Sequence, residues 1–119
     1  MAKANDRREQ ERRACDGVPA VARWLSEGMA HGEQGEIRDI SLAGCSLRLA
    51  KAPCLGRLTR LSMSFGVISG EPVGTLEAGC KVVRREIGPD GYVVALAFET
   101  LPPRSETGLR LALRALGAR

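Results

Sequence analysis

Thr59, Leu61, Met63 and Phe65 alternate with Arg60, Ser62 and Ser64 along one unbroken stretch. A period of two puts the first set on one face of an extended chain and the second on the other, whereas a helix would mix them. The same alternation recurs at Cys45-Ser46-Leu47-Arg48-Leu49, where Cys45, Leu47 and Leu49 face one way and Ser46 and Arg48 the other. A chain written this way must pair its strands and bury one face of them. Turn residues separate such stretches every eight to twelve positions or so, as in small barrels and sandwiches.

The first strand is predicted over Pro19-Ala20-Val21-Ala22-Arg23-Trp24-Leu25, ended by Ser26-Glu27-Gly28. Residues 28–35 read as a loop, and Glu36-Ile37-Arg38-Asp39-Ile40 as a second strand with Ile37 inward. A turn at Ser41-Leu42-Ala43-Gly44 leads into the third, and residues 53–56 break the chain before the fourth. Residues 66–74, with Pro72, read as a loop; a long strand then covers about 75–87. Gly88-Pro89-Asp90-Gly91 is a strong turn, because Pro presets φ and Asp-Gly tolerates positive φ. It joins that strand to Tyr92-Val93-Val94-Ala95-Leu96-Ala97-Phe98 as a hairpin.

Pro102 and Pro103 stop the last strand. Ser105 is placed to cap a helix whose first turn holds Glu106, and Gly117 to end it. Leu109, Ala112, Leu113 and Leu116 make the apolar stripe of that helix, expected to pack on the barrel. The expected fold is all-β with one C-terminal helix: a six-stranded antiparallel barrel over residues 18–119, the helix at about 104–116. Residues 1–17, polar and ending in Asp16-Gly17, read as a flexible N-terminal arm.

At 119 residues the chain holds one domain and one core. Aromatics make up only 3%, so that core is aliphatic. The four cysteines, Cys15, Cys45, Cys54 and Cys80, form no C-x-x-C pair, and His31 is the sole histidine. This spacing excludes an ordinary zinc site and predicts four reduced thiols, with no metal and no cofactor. The polar N-terminus and the lack of a run of about 20 apolar residues predict a cytoplasmic protein with no membrane insertion. There is no G-x-x-x-x-G-K-[ST] loop, and His31 sits among glycines as a surface residue would, so no enzyme is expected.

The net charge is +4, and Arg7, Arg8, Arg12 and Arg13 crowd together in Arg7-Arg8-Glu9-Gln10-Glu11-Arg12-Arg13. Arg8 and Arg12 form an R-x-x-x-R. Asp39-Ile40-Ser41-Leu42-Ala43-Gly44 forms a D-x-S-x-x-G at a strand-to-strand turn. Each has a plain structural reading, as a solvated tail and as a capped turn with a permissive glycine. In combination, on six strands and a terminal helix, they resemble the PilZ domain family over roughly residues 7–116. Ala95 stands where a glycine is common in that family, and Val18-Pro19 begins late enough after the arginines that Arg13 competes with Arg12 for the second position.

The resemblance implies a PilZ-like barrel that binds the bacterial second messenger cyclic di-GMP, with Arg7, Arg8, Arg12, Arg13, Asp39, Ser41 and Gly44 as the ligand-binding set. The residue types suit that ligand. Arginine pairs bidentately with phosphate or with guanine O6 and N7, and stacks on purines. Asp39 can accept from the N1–H and N2–H₂ edge of guanine, and Gly44 would let the backbone approach a flat ligand. Ordering of the arm over the ligand would then alter a surface for a downstream protein partner. Two other readings stand beside it. One is a degenerate PilZ-fold adaptor acting by protein contacts without nucleotide. The other is an OB-like nucleic-acid binder, disfavoured because Trp24, Phe65, Tyr92 and Phe98 look internal rather than set out for base stacking; no DNA or RNA partner is expected.

Overall fold

The computed structural model describes residues 12–117. It is a closed barrel of six strands with one helix. The strands are β1 (Arg13–Ser26), β2 (Met29–Ile40), β3 (Gly44–Leu49), β4 (Leu58–Ile68), β5 (Glu71–Gly88) and β6 (Gly91–Thr100), and the helix is α1 (Pro103–Gly117). Around the barrel the order is β1-β2-β3-β6-β5-β4, with β4 returning to β1. All pairings are antiparallel.

The alternation read from the sequence sets the inside. Cys45, Leu47 and Leu49 are buried while Arg48 is exposed, and Thr59, Leu61, Met63 and Phe65 are buried while Arg60 and Ser64 are exposed. Ala20, Ala22 and Trp24 of β1 join them, so small and large side chains together fill the narrow lumen. Leu109 and Ala112 of α1 are fully buried, and the helix lies mainly against β5. Leu113 is only half-buried, and Ala115 takes a place in the buried stripe instead.

Three expected irregular segments are strand. Residues 29–35 belong to β2, because Glu27 and Gly28 (φ 53° and 77°) make a two-residue turn and Trp24 stacks on His31 at 5.6 Å across the hairpin. Positive φ at both central residues is the twist-matched hairpin geometry, which asparagine usually signals and glutamate does not. Residues 66–74 likewise extend the β4–β5 hairpin around Ser69 and Gly70. Gly88 and Gly91 pair as expected across the last hairpin. At the N-terminal side β1 begins at Arg13, inside the segment read as arm. Asp16-Gly17 is a bulge within β1, where the register shifts between Ala14 and Val18 and Gly17 takes φ 90°.

Ser105 does not cap the helix. The helix starts at Pro103, a residue with a preset φ and no N–H to satisfy, and the Ser105 hydroxyl accepts a hydrogen bond from the Glu77 N–H at 3.1 Å. The serine thus ties α1 to β5.

Among the described residues no disulfide forms; Cys15, Cys45 and Cys80 are buried and Cys54 is exposed. Burial pushes the Cys80 thiol up to about 12, with the Glu99 charge adding to it. Cys45 is raised well above its usual value, first by burial and then by Cys80, Cys15 and Asp39, against a smaller lowering by Arg12. Above about pH 8.5 the unfolded chain therefore holds fewer protons than the folded one, and stability falls as pH rises. The urea midpoint should drop between about pH 8.5 and 10.5, and less steeply in Cys80→Ala than in the parent. An equal slope in the two proteins would contradict this.

Candidate ligand-binding site

In β2 the register steps from Ile37 opposite Leu47 to Asp39 opposite Ser46, so Arg38 is an extra residue. This bulge lets Ile37 and Ile40, an odd distance apart, both point into the barrel and be fully buried. Arg38 and Asp39 are left on the outer face between them. Without the bulge a strict period of two would turn one of the two isoleucines outward.

The Asp39 carboxylate is held on both oxygens. Ser46 Oγ donates to Oδ2 at 2.8 Å, and Arg12 Nη1 lies 2.6 Å from Oδ1. Ser46 is the cross-strand partner of Asp39 and is itself buried. The Arg12 and Asp39 side chains are 49% and 32% exposed, so water reaches this pair. Arg13 takes another direction: its guanidinium lies against Gly117 at the C-terminal end of α1. Of the two adjacent arginines, Arg12 is the one brought to Asp39. Arg7 and Arg8 lie outside the described residues.

Ser41 and Gly44 are engaged by the turn itself. Ser41 N–H donates to the Gly44 carbonyl at 2.8 Å, and its buried hydroxyl accepts from Ala43 N–H at 3.1 Å and lies 3.4 Å from the Gly44 carbonyl. Phe98 N–H donates to the Ala43 carbonyl, fastening the turn to β6. Gly44 was expected to admit a ligand, but its hydrogen faces β6: a Cβ there would lie 2.1 Å from the Leu96 carbonyl oxygen. Its φ is not in the left-handed region, so the requirement is close approach of two strands rather than an unusual conformation.

The outer row continues from Asp39 through Ser46 and Ala95 to Arg84 in successive strands β2, β3, β6 and β5. Three strand spacings separate its ends by about 14 Å. Ala95 adds only a methyl group to the middle, and Arg48 and Arg38 stand exposed or half-buried beside it on the same face. Arg84 pairs with Glu86 at 3.1 Å, both side chains being largely in solvent. Sequence reasoning missed Ser46, Ala95 and Arg84, because only strand register shows that they line up with Asp39. Chemically, the row is a flat floor with a fixed carboxylate at one end and a cation at the other. Among the described residues no group of three or more His, Cys, Asp or Glu is placed to hold a metal ion, and no helix is long and apolar enough to cross a membrane.

The profile of the PilZ domain matches residues 6–115. In structure the chain is similar to YcgR from Escherichia coli in complex with c-di-GMP, with TM-score 0.69 and 15% identity over 94% of this chain and 46% of that one. It thus spans about half the length of that protein. The separate PilZ domain of YcgR with c-di-GMP gives 0.66 at 16% identity, over 94% of this chain and 92% of that one. The MrkH–c-di-GMP complex from K. pneumonia gives 0.66 at 18% identity, over 94% and 53%. At such identities these likenesses establish the shared fold. Among curated proteins none matches in sequence.

The Gly44 contact predicts that Gly44→Ala will cost about 2 kcal/mol or more in urea unfolding, since the added methyl must drive β3 from β6. Ser46→Ala should cost about 1 kcal/mol, the worth of one hydrogen bond. Equal and small effects in the two variants would contradict the assigned roles.

Proposed function

The chain belongs to the PilZ domain family, and from that premise we propose that it is a cyclic di-GMP receptor module. The ligand lies on the outer face of β2, β3, β6 and β5. The observation that carries this reading is the Asp39 carboxylate, oriented by Ser46 and met by Arg12 on an otherwise flat part of the barrel. The N1–H and N2–H₂ donors of guanine match a carboxylate held in this way. Adenine lacks that donor pair, so the site selects guanine.

Arg12 is the movable part. A solvent-exposed ion pair contributes only about 0–1 kcal/mol, so Arg12 can leave Asp39 at little cost. It then meets guanine O6 and N7 or a phosphate, where charge-assisted bidentate pairing is stronger. Arg84 supplies a second cation about 14 Å along the row, a span suited to a ligand with two purines and two phosphates. Arg8, four positions before Arg12, closes over the ligand with Arg7 as the arm orders. Arg13, turned to the end of α1, couples that ordering to the helix. Ser41 and Gly44 shape the turn that presents Asp39. The barrel acts as an adaptor rather than a catalyst, and passes the change in its arm to a protein partner.

A second reading has one observation in its favour. Ser41 and Gly44 are fully accounted for by the turn and by β6, so the motif could persist for the fold alone in an adaptor that binds no nucleotide.

Calorimetric titration with cyclic di-GMP, with GMP and cyclic di-AMP as controls, separates the two. Saturable binding to cyclic di-GMP alone is expected, weakened at least about tenfold by Asp39→Ala and by Arg12→Ala. Arg13→Ala should leave the contact to guanine in place and lose less. A folded protein that takes up no cyclic di-GMP would leave the adaptor reading.

A further inference from the structure

Away from the carboxylate row, the barrel carries a groove of about 790 Å³ along β1, β4, β5 and β6, lined by outward residues of these strands, by the 55–57 loop, and at its floor by Trp24, Thr59 and Cys80. Its axis is a second registered row: Arg23 opposite Arg60, Arg60 opposite Gly79, and Gly79 opposite Thr100. Gly79 has no side chain, so the middle of the row is bare while both ends are built up. A Cβ at this position would come within 3.3 Å of the Thr100 side chain, so a larger residue here must displace that side chain as it fills the centre.

Two features of this groove are unlike the rest of the surface. Leu25, Leu55 and Leu58 line it at 63%, 63% and 66% exposure. Leu25 and Leu58 fall on the outward set of their strands' alternation, and in β4 the rest of that set, Arg60, Ser62 and Ser64, is polar. Exposed leucines gathered on a concave face mark an interaction site more than scattered ones do. Arg23, Arg57 and Arg60 line the same groove, and among the described residues none of them forms an ion pair. Lys81 is the cross-strand partner of Leu58 and adds a further cation. Of the carboxylates nearby, Glu99 lines the groove, and Glu77, in an adjoining depression beyond Arg60 and Gly79, accepts from the Ser62 hydroxyl.

We propose that this groove docks an acidic, leucine-bearing amphipathic helix of a partner protein. The unpaired arginines call for carboxylates and the exposed leucines for apolar side chains on the same face of the occupant. Addition of a partner strand is unavailable because the barrel is closed and has no free edge. A helix about 10–12 Å across fits over a row of about 14 Å. This inference stands independently of nucleotide binding, because the groove shares no residue with the Asp39 row.

The test uses the full chain labelled with nitrogen-15. The probe is a synthetic 18-residue helical peptide of Glu, Leu and Ala carrying its carboxylates and leucines along one stripe; the control has Lys in place of Glu. Saturable amide shifts centred on Leu58, Gly79 and Thr100 are expected with the acidic probe and not with the basic one. Arg60→Glu and Leu58→Asp, both at exposed positions, should each weaken binding at least about tenfold. Gly79→Leu should block it by filling the bare centre. Cyclic di-GMP binding measured on the same variants separates a failure here from a failure of the receptor reading. The proposal is overturned by no shift at millimolar acidic probe, by equal binding of the basic control, or by shifts centred elsewhere. It is also overturned by concentration-dependent dimerisation in sedimentation that Leu58→Asp abolishes, which would assign the groove to a second copy of this chain.

Discussion

Strands β3 and β6 approach so closely at Gly44 that a single added carbon would sit 2.1 Å from the Leu96 carbonyl oxygen. This contact fixes where the β2–β3 turn stands. Ser41 closes the turn from within, and the Phe98 N–H fastens it to β6 from outside. With both ends pinned, β2 must reach the turn in a set register. It does so with Ile37 and Ile40 inward by carrying one extra residue. The outward placement of Asp39 follows from packing on the other side of the sheet.

That origin explains why the carboxylate is suited to recognition on the proposed reading. A carboxylate on a mobile loop would lose orientational freedom on binding. Asp39 has already lost most of it, because one oxygen is held by Ser46. The other oxygen meets Arg12, whose partial exposure makes the pair weak and easily exchanged. Rigid floor and exchangeable cover come from different parts of the chain: the floor from the barrel, the cover from the residues just before β1.

Much of the barrel was legible in the sequence because its signal is local. Period-two alternation at residues 45–49 and 59–65 named the inward faces, and the last hairpin was announced by Gly88-Pro89-Asp90-Gly91. The misread segments lacked such signals. Residues 29–35 show no alternation and hold three polar residues, His31, Glu33 and Gln34, and two glycines, and it is the hairpin pairing with β1, joined at Gly35 by β3, that holds them as strand. Ser105 follows the helix-cap pattern, yet tertiary contact with Glu77 claims its hydroxyl. In the site, the motif at residues 39–44 was visible as a string, but the roles of its members were not. Gly44 serves strand contact, while Ser46, Ala95 and Arg84 align with Asp39 only through register. Register depends on bulges at Arg38 and Val83, which leave little mark in one sequence.

The central claim is that Arg12 exchanges the Asp39 carboxylate for the ligand while Ser46 keeps its hold. Nitrogen-15 detection of the Arg12 guanidinium during a cyclic di-GMP titration reads this directly. The account predicts that the Arg12 Nε–H resonance moves to a new bound position as ligand saturates, with the Ser41 and Phe98 amides, donors to the Gly44 and Ala43 carbonyls, keeping their hydrogen-exchange protection. Saturable binding with the Arg12 resonance unmoved, or with protection lost at Ser41 and Phe98, would contradict it.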